Sequence, residues 1–278
     1  MHSPPVSSRT ADVPGRALAV LTALAGGLLV AFFAGPGRLA ATGQSRDLAD
    51  QHTLVDALRR AFVGYWNSVD RDLSPDLQGV VDYWFRFHVV KAVITTVLLI
   101  VLTVLGFLLW RAFLRAGGLA FASAGVVVTM LALVSLVTVM ANVQGAAAPF
   151  SSLLPMLPGG ATGGLADTLD QVRQRLNDAP DGHTPPALDV MIGDFSRYHA
   201  AMAVTAAIVA VALIAMSVVF WRRFATTGSA ERRTRRVLGS FGVLSALLAA
   251  AVIVVAVANA GTAADPAPAL AGFFDGGR

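Results

Sequence analysis

Five stretches of this chain, residues 17–34, 89–110, 119–141, 200–221 and 237–258, are almost wholly apolar and contain no aspartate or glutamate. About 20 such residues in a helix cross a hydrocarbon core roughly 30 Å thick. A helix on the surface of a soluble domain keeps a polar face, which these runs lack. A chain of 278 residues with five of them has too little remaining sequence to bury them all in protein. The charge content agrees: 14% of residues are charged, against about 25% in soluble domains. The expected fold class is therefore all-α, a polytopic transmembrane bundle of five spans.

The flanking charges set its orientation. The short connection after residue 110 carries Arg111 and Arg115 without an acid, and the connection after residue 221 carries Arg222, Arg223, Arg232, Arg233, Arg235 and Arg236 against Glu231 alone. Arginine-rich short loops stay in the cytoplasm. The long connections, 35–88 and 142–199, hold most of the aspartates and belong outside. The division is then a cytoplasmic tail over 1–16, a first span, an outer loop over 35–88, two spans within 89–141, a second outer loop over 142–199, two spans within 200–258 and an outer tail over 259–278. The location is a cell membrane. The first span also admits a signal-peptide reading, since Arg9 and Arg16 precede it and Ala40 and Ala41 follow; its length favours retention. The net charge of +4 belongs to these topology signals, so no nucleic acid is expected as a partner. With no cysteine, disulfides and thiolate metal sites are excluded. A single lysine, Lys91, among many arginines suggests a GC-rich bacterial source.

Both outer loops carry helical periodicity. Leu48, Val55, Leu58, Phe62 and Tyr65 in the first, and Leu165, Leu169, Val172 and Leu176 in the second, recur at helix spacing. Amphipathic helices of this kind lie on the outer membrane surface or cap the bundle. Trp66 and the run Tyr83, Trp84, Phe85 read as interfacial anchors. The Gly- and Pro-rich stretches 155–164 and 179–186 read as connectors.

The chain also resembles itself. Arg86-Phe87-His88 opens the second span and Trp110-Arg111-Ala112-Phe113 closes it; Arg197-Tyr198-His199 and Trp221-Arg222-Arg223-Phe224 do the same for the fourth at equal spacing. Ser123, Gly125 and Val126 correspond to Ser240, Gly242 and Val243, and the following spans end in Ala141-Asn142 and Ala258-Asn259. We read a tandem duplication of a unit with two spans and one outer loop. An even number of spans per unit makes the copies parallel, unlike the inverted repeats of many transporters.

This pattern places the candidate site. His88 and His199 fall at the outer ends of two spans, with Arg86 and Arg197 two residues earlier, Asp82 and Asp194 nearby, and Asn142 and Asn259 ending neighbouring spans. Tyr198 adjoins the second histidine. Ionisable groups beside a hydrocarbon core are paired or line a polar cavity. Histidine exchanges protons near neutral pH. His88, His199, Arg86 and Arg197 are thus catalytic candidates, and Asn142, Asn259, Asp82, Asp194 and Tyr198 ligand-binding ones. The plainer reading is that arginine reaches phosphates and histidine rests in the interface. The two histidines could instead be axial ligands to a b-type haem, or join His52 or His183 around copper, but no metal-ligand spacing is present, so neither a metal nor a cofactor is expected.

The residues also suggest a family. Trp84-Phe85-Arg86-Phe87-His88-Val89-Val90-Lys91 resembles the Trp-x-Arg-aromatic-Asn-x-x-Arg element of anthrone-oxygenase-like membrane proteins, and Asn142-Val143-Gln144-Gly145 is similar to their Asn-Val-Pro-x-Asn. His88 stands where the family has Asn. Over residues 17–221 the resemblance implies a four-helix membrane bundle, with some members oxidising polyketide anthrones by dioxygen without an evident cofactor. Two functional readings are open at this point. One is a membrane protein that binds or oxidises a small hydrophobic, aromatic molecule at the outer end of the bundle. The other is a non-catalytic membrane subunit of a transport, secretion or envelope complex. A transporter is disfavoured by the lack of charges in mid-span. The expected partners are the lipid bilayer, a small hydrophobic ligand, and a homo-oligomer or a membrane partner protein.

Overall fold

The structure, a computed structural model, describes residues 15–68, 70–178 and 185–276. Arg9, His183 and most of the expected 1–16 tail and 179–186 connector lie outside the described residues. The five apolar windows all fall in long helices: α1 (Gly15–Ala34), α4 (Pro75–Ala116), α5 (Leu119–Ala147), α8 (Pro186–Thr226) and α9 (Arg232–Ala264). Shorter helices are α2 (Pro36–Ala40), α3 (Gln51–Ser68), α6 (Pro149–Leu153), α7 (Gly164–Asn177) and α10 (Pro266–Phe274), with 3-10 turns at Gly43–Ala49 and Leu154–Met156. No strand occurs among the described residues.

α4 and α8 differ from the expectation in one important way. They begin at Pro75 and Pro186, well before the apolar windows open at residues 89 and 200. At 42 and 41 residues each is about 60 Å long, twice the thickness of a hydrocarbon core. The local chemistry supports this. Pro75 and Pro186 occupy first-turn positions that need no N–H, Ser74 Oγ accepts from Leu77 N (3.4 Å), and Asp76 and Asp189 lie in first turns. α4 stops where Gly117 and Gly118 take positive φ of 75° and 93°, which only glycine adopts without strain. That turn reverses the chain into α5.

The projecting ends of α4 and α8 carry a head. α3, α6, α7 and α10 pack around them, enclosing the larger apolar cluster, in which Leu58, Phe62, Tyr65, Leu77, Tyr83, Leu153, Leu169, Leu188 and Met191 are fully buried. The amphipathic loop helices therefore bury their apolar faces in protein, against each other and against α4 and α8, and do not lie on the lipid surface. In α3 the buried stripe runs through Leu54, Leu58, Phe62 and Tyr65, with Leu54 in the place expected for Val55. Trp66 and Tyr83, expected as interfacial anchors, are core residues at 9% and 2% exposure. Trp66 Nε1 donates to Gln171 Oε1 on α7 (3.1 Å), and burial raises the Tyr65 phenol above its ordinary pKa. Asp50 starts α3 by accepting from Thr53 N (2.9 Å), which lowers its carboxyl pKa; this cap is complete above the ordinary carboxylate range and is lost as pH falls below it. The C-terminal α10 returns to the same head, burying Leu270 and Phe274, and Arg173 Nε donates to Phe274 O (2.9 Å).

Below the head, α4 packs along α5 and α8 along α9, α5 contacts α8, and α1 lies on α4. Ala25, Leu98, Leu102, Leu105 and Val128 form the tight seam of α1, α4 and α5. Elsewhere the spans show apolar side chains outward: Val93, Val97, Ile100, Val104 and Phe107 on α4, and Val204, Ile208 and Val211 on α8. Only 6% to 39% of each apolar window is buried. Surfaces this apolar and this open are stable in hydrocarbon and not in water. The chain is a multi-pass integral membrane protein.

Two kinds of core give two kinds of response. Phe62→Ala removes a fully buried ring from the head and is expected to cost about 3–5 kcal/mol. Val97→Ala on the outward face of α4 is expected to change stability by less than about 0.5 kcal/mol. Thermal unfolding in detergent, with limited proteolysis of α3 and α7 as the local readout, checks both.

Candidate functional site

Each candidate histidine meets the asparagine of the neighbouring helix. His88 Nδ1 lies 3.0 Å from Asn142 Oδ1, and His199 Nδ1 lies 2.8 Å from Asn259 Oδ1. Asn142 Nδ2 donates to Thr138 O (2.7 Å) and Asn259 Nδ2 to Val255 O (2.9 Å). Each amide nitrogen is thus committed as a donor, its oxygen is left to accept, and Nδ1 is assigned as the protonated ring nitrogen of both histidines. Nε2 is then the acceptor of a neutral ring. In His88 that atom is buried and has no partner. It faces Gly145 of α5, where a Cβ would stand 2.5 Å from Nε2. The glycine lets the ring lie flat against the helix. A matching contact closes the far end of each hairpin: a Cβ on Gly125 would stand 3.0 Å from the Trp110 ring, and one on Gly242 3.1 Å from the Trp221 ring.

The arginines and aspartates, alike in sequence, have different roles. Arg197 pairs with Asp194 (2.9 Å), which is nearly buried and also accepts from Ser151 N (2.8 Å). Asp194 thereby caps α6 from α8. Arg86 instead donates to Ala40 O (2.9 Å) and Ser45 Oγ (3.4 Å), fastening the α2 segment to α4. Asp82 is exposed, accepts from Gln78 Nε2 (2.6 Å), and does not pair with Arg86. Tyr198 sets its ring edge-on to His199, and its carbonyl accepts from Gln144 Nε2 (3.2 Å). Gln144, buried on α5, links the two hairpins near both histidine pairs. In the sequence Gln144 is marked only by its place in Asn142-Val143-Gln144-Gly145.

A cavity of about 500 Å³ opens where α1, α2 and α4 meet under the head. Phe33, Tyr83, Trp84, Phe87 and Met156 form its walls, and Arg38 and Lys91 supply positive charge. Trp84 and Phe87 stack in parallel, centroids 4.7 Å apart, and Trp84 Nε1 is tied to Ser152 Oγ (2.8 Å). Lys91 Nζ lies 4.4 Å from the Phe32 ring centroid and 5.1 Å from that of Phe87. Among the described residues no carboxylate forms an ion pair with it. The lining includes neither His88 nor His199. The clue in the sequence was Lys91 itself, the single lysine, at the edge of a span.

Among the described residues no three of His, Asp and Glu converge as metal ligands. No family model matches the chain, and no curated protein or solved structure is significantly similar to it.

Gly145→Ala is expected to displace the His88 ring, break the bond to Asn142 and lower stability by about 1–3 kcal/mol. Because both changes remove one tie, the Gly145→Ala/Asn142→Ala double variant should lose less than the sum of the singles, measured as detergent unfolding. Asp194→Ala strands the Ser151 N–H and should cost about 1–3 kcal/mol. Asp194→Asn retains an acceptor and should cost less, with the difference read by hydrogen exchange over α6.

Proposed function

We propose that this integral membrane protein binds a small, largely apolar molecule bearing an acidic group, in the cavity between α1, α2 and α4. The observation that carries the reading is Lys91, an ammonium set among aromatic rings at the edge of a span without a carboxylate to pair with. A charge so placed is costly until an anion joins it. A carboxylate or phenolate would give a charge-assisted hydrogen bond to Nζ, and a ring could stack on the Trp84–Phe87 face. A volume of about 500 Å³ is within the range of small-molecule sites, roughly 300–1,000 Å³. An aromatic acid fits both the walls and the expectation raised by the anthrone-oxygenase-like resemblance.

For this cavity binding is favoured over oxidation, since neither His88 nor His199 lines it. Proton transfer by His88 needs a reachable Nε2, and that atom is closed off against Gly145. Arg86 and Arg197 are engaged with protein partners. His88 and His199 serve this reading as ties between the helices of each hairpin, Arg86 as the tie of α2 to α4, and Arg197 as the partner of Asp194 on its own helix. The alternative, a non-catalytic subunit, would dock through the membrane face.

Two further elements of the proposal concern arrangement. The arginine-rich α4–α5 and α8–α9 turns lie at the end opposite the head, which supports a head outside the cell and the arginines in the cytoplasm. The paired His–Asn contacts and the paired Trp–Gly contacts support descent of the two hairpins from one duplicated unit.

The test is the small-molecule content of the purified protein. Organic extracts of wild type should contain a stoichiometric acid of small mass, depleted about tenfold or more in Lys91→Met, in line with roughly 1.5–3 kcal/mol for a hydrogen bond to a charged group, and retained in His199→Ala. If Lys91→Met and wild type carry the same content, or if a panel of aromatic acids leaves the wild-type Tm unmoved, the reading fails.

A further inference from the structure

A second cavity, of about 810 Å³, lies at the other end of the molecule along the start of α9. Its rim carries Arg232, Arg235 and Arg236, with Ser229 and Ser240 beside them, and its floor is Val243, Leu244 and Leu247. We propose that this groove holds one anionic phospholipid, its phosphate between Arg232 and Arg236 and an acyl chain along Val243 and Leu247.

The arginines have unequal duties, and the inequality marks the site. Arg235 donates to Thr227 O (2.8 Å) and Phe224 O (3.4 Å) and stacks on the Phe224 ring (4.3 Å), closing the end of α8. Arg233 reaches across to Phe113 O at the end of α4 (3.3 Å). Arg232 and Arg236 are exposed, and no described acidic side chain pairs with either. Glu231, the only acid between Asp194 and Asp265, does not line the groove. Two guanidinium groups thus stay unneutralised one turn apart on a helix whose first turn has no acid of its own, where like charges repel.

Depth selects a lipid over a free anion. Along α9 the step from Arg236 to Val243 is about 10 Å and that to Leu247 about 16 Å. Val243 and Leu247 are 47% and 65% exposed, in the apolar part of a span. A groove with its cations at the helix end and its exposed apolar floor continuing that far into the hydrocarbon matches a molecule with a phosphate and a long chain. Arginine gives such a phosphate a forked pair of donors.

The experiment is native mass spectrometry of the full-length protein in a non-ionic detergent with equal phosphatidylglycerol and phosphatidylcholine. Wild type should retain a single phosphatidylglycerol in preference to phosphatidylcholine by about 25-fold, taking roughly a factor of five for each of two arginines at a charged surface. Arg232→Gln/Arg236→Gln should bring the ratio near one. Should that variant fail to insert or fold, Val243→Trp, which blocks the apolar floor and leaves every arginine in place, should also abolish the retained lipid. Equal retention of the two lipids by wild type, or an unchanged preference in a folded variant of either kind, overturns the proposal. So does displacement of the lipid by millimolar glycerol phosphate, which would show that the groove reads a free phosphate.

Discussion

In hydrocarbon a backbone polar group has no water to turn to, so each crossing must satisfy its own N–H and C=O groups within one helix. α4 and α8 extend that requirement beyond the membrane. Each continues without a break from its apolar window into the head, ending at a proline that needs no N–H partner. Everything outside the bilayer is built on these two posts. α3 and α7 bury their apolar stripes between them, α6 is capped from α8 by Asp194, and α10 closes the cluster from the C-terminal side. The best-packed part of this membrane protein is therefore its head, where the hydrophobic effect operates, whereas the spans need little mutual burial because lipid covers their outward faces.

Polar ties mark the level at which the posts leave the apolar windows. The His88–Asn142 and His199–Asn259 bonds join each post to its partner helix, and Gln144 joins the hairpins. Between apolar helices such bonds add little energy, on the order of 0.6–2 kcal/mol each, but they specify register, because sliding one helix by a residue would leave both groups unpaired in a poor solvent. The glycines beneath the His88, Trp110 and Trp221 rings act in the same sense, since a Cβ at any of them would push the helices apart. Lys91 at the head side, and Arg232 and Arg236 at the other end, have no ion-pair partner among the described residues.

How far the site was legible follows from the range of the interactions. The common level of His88 with Asn142 and of His199 with Asn259 was readable because the residues recur at the same depth in two similar segments, but the bonds between them were not. The division of labour between Arg86 and Arg197 was not. It depends on Ala40, Ser45 and Ser151, which are brought close by the packing of α2 and α6 and carry no local mark in the sequence. Asp82 and Asp194 looked equivalent for the same reason, yet one faces solvent and the other caps a helix. Trp66 and Tyr83 carry the sequence pattern of interfacial anchors and yet are core residues, because an aromatic near a span has the same pattern whether lipid or protein covers it.

The sequence by itself determined the number of spans, the all-helical class and the helical faces of α3 and α7, since a run of about 20 apolar residues and a 3.6-residue period are consequences of backbone geometry and solvent alone. Only the tertiary structure decided that those faces enclose a shared head core, that α4 and α8 run on through its base, and that Lys91 lies in an aromatic cavity while His88 is closed against Gly145. The physical reason is that burial and pairing are properties of neighbours distant in the chain, and a residue carries no record of which neighbour will arrive.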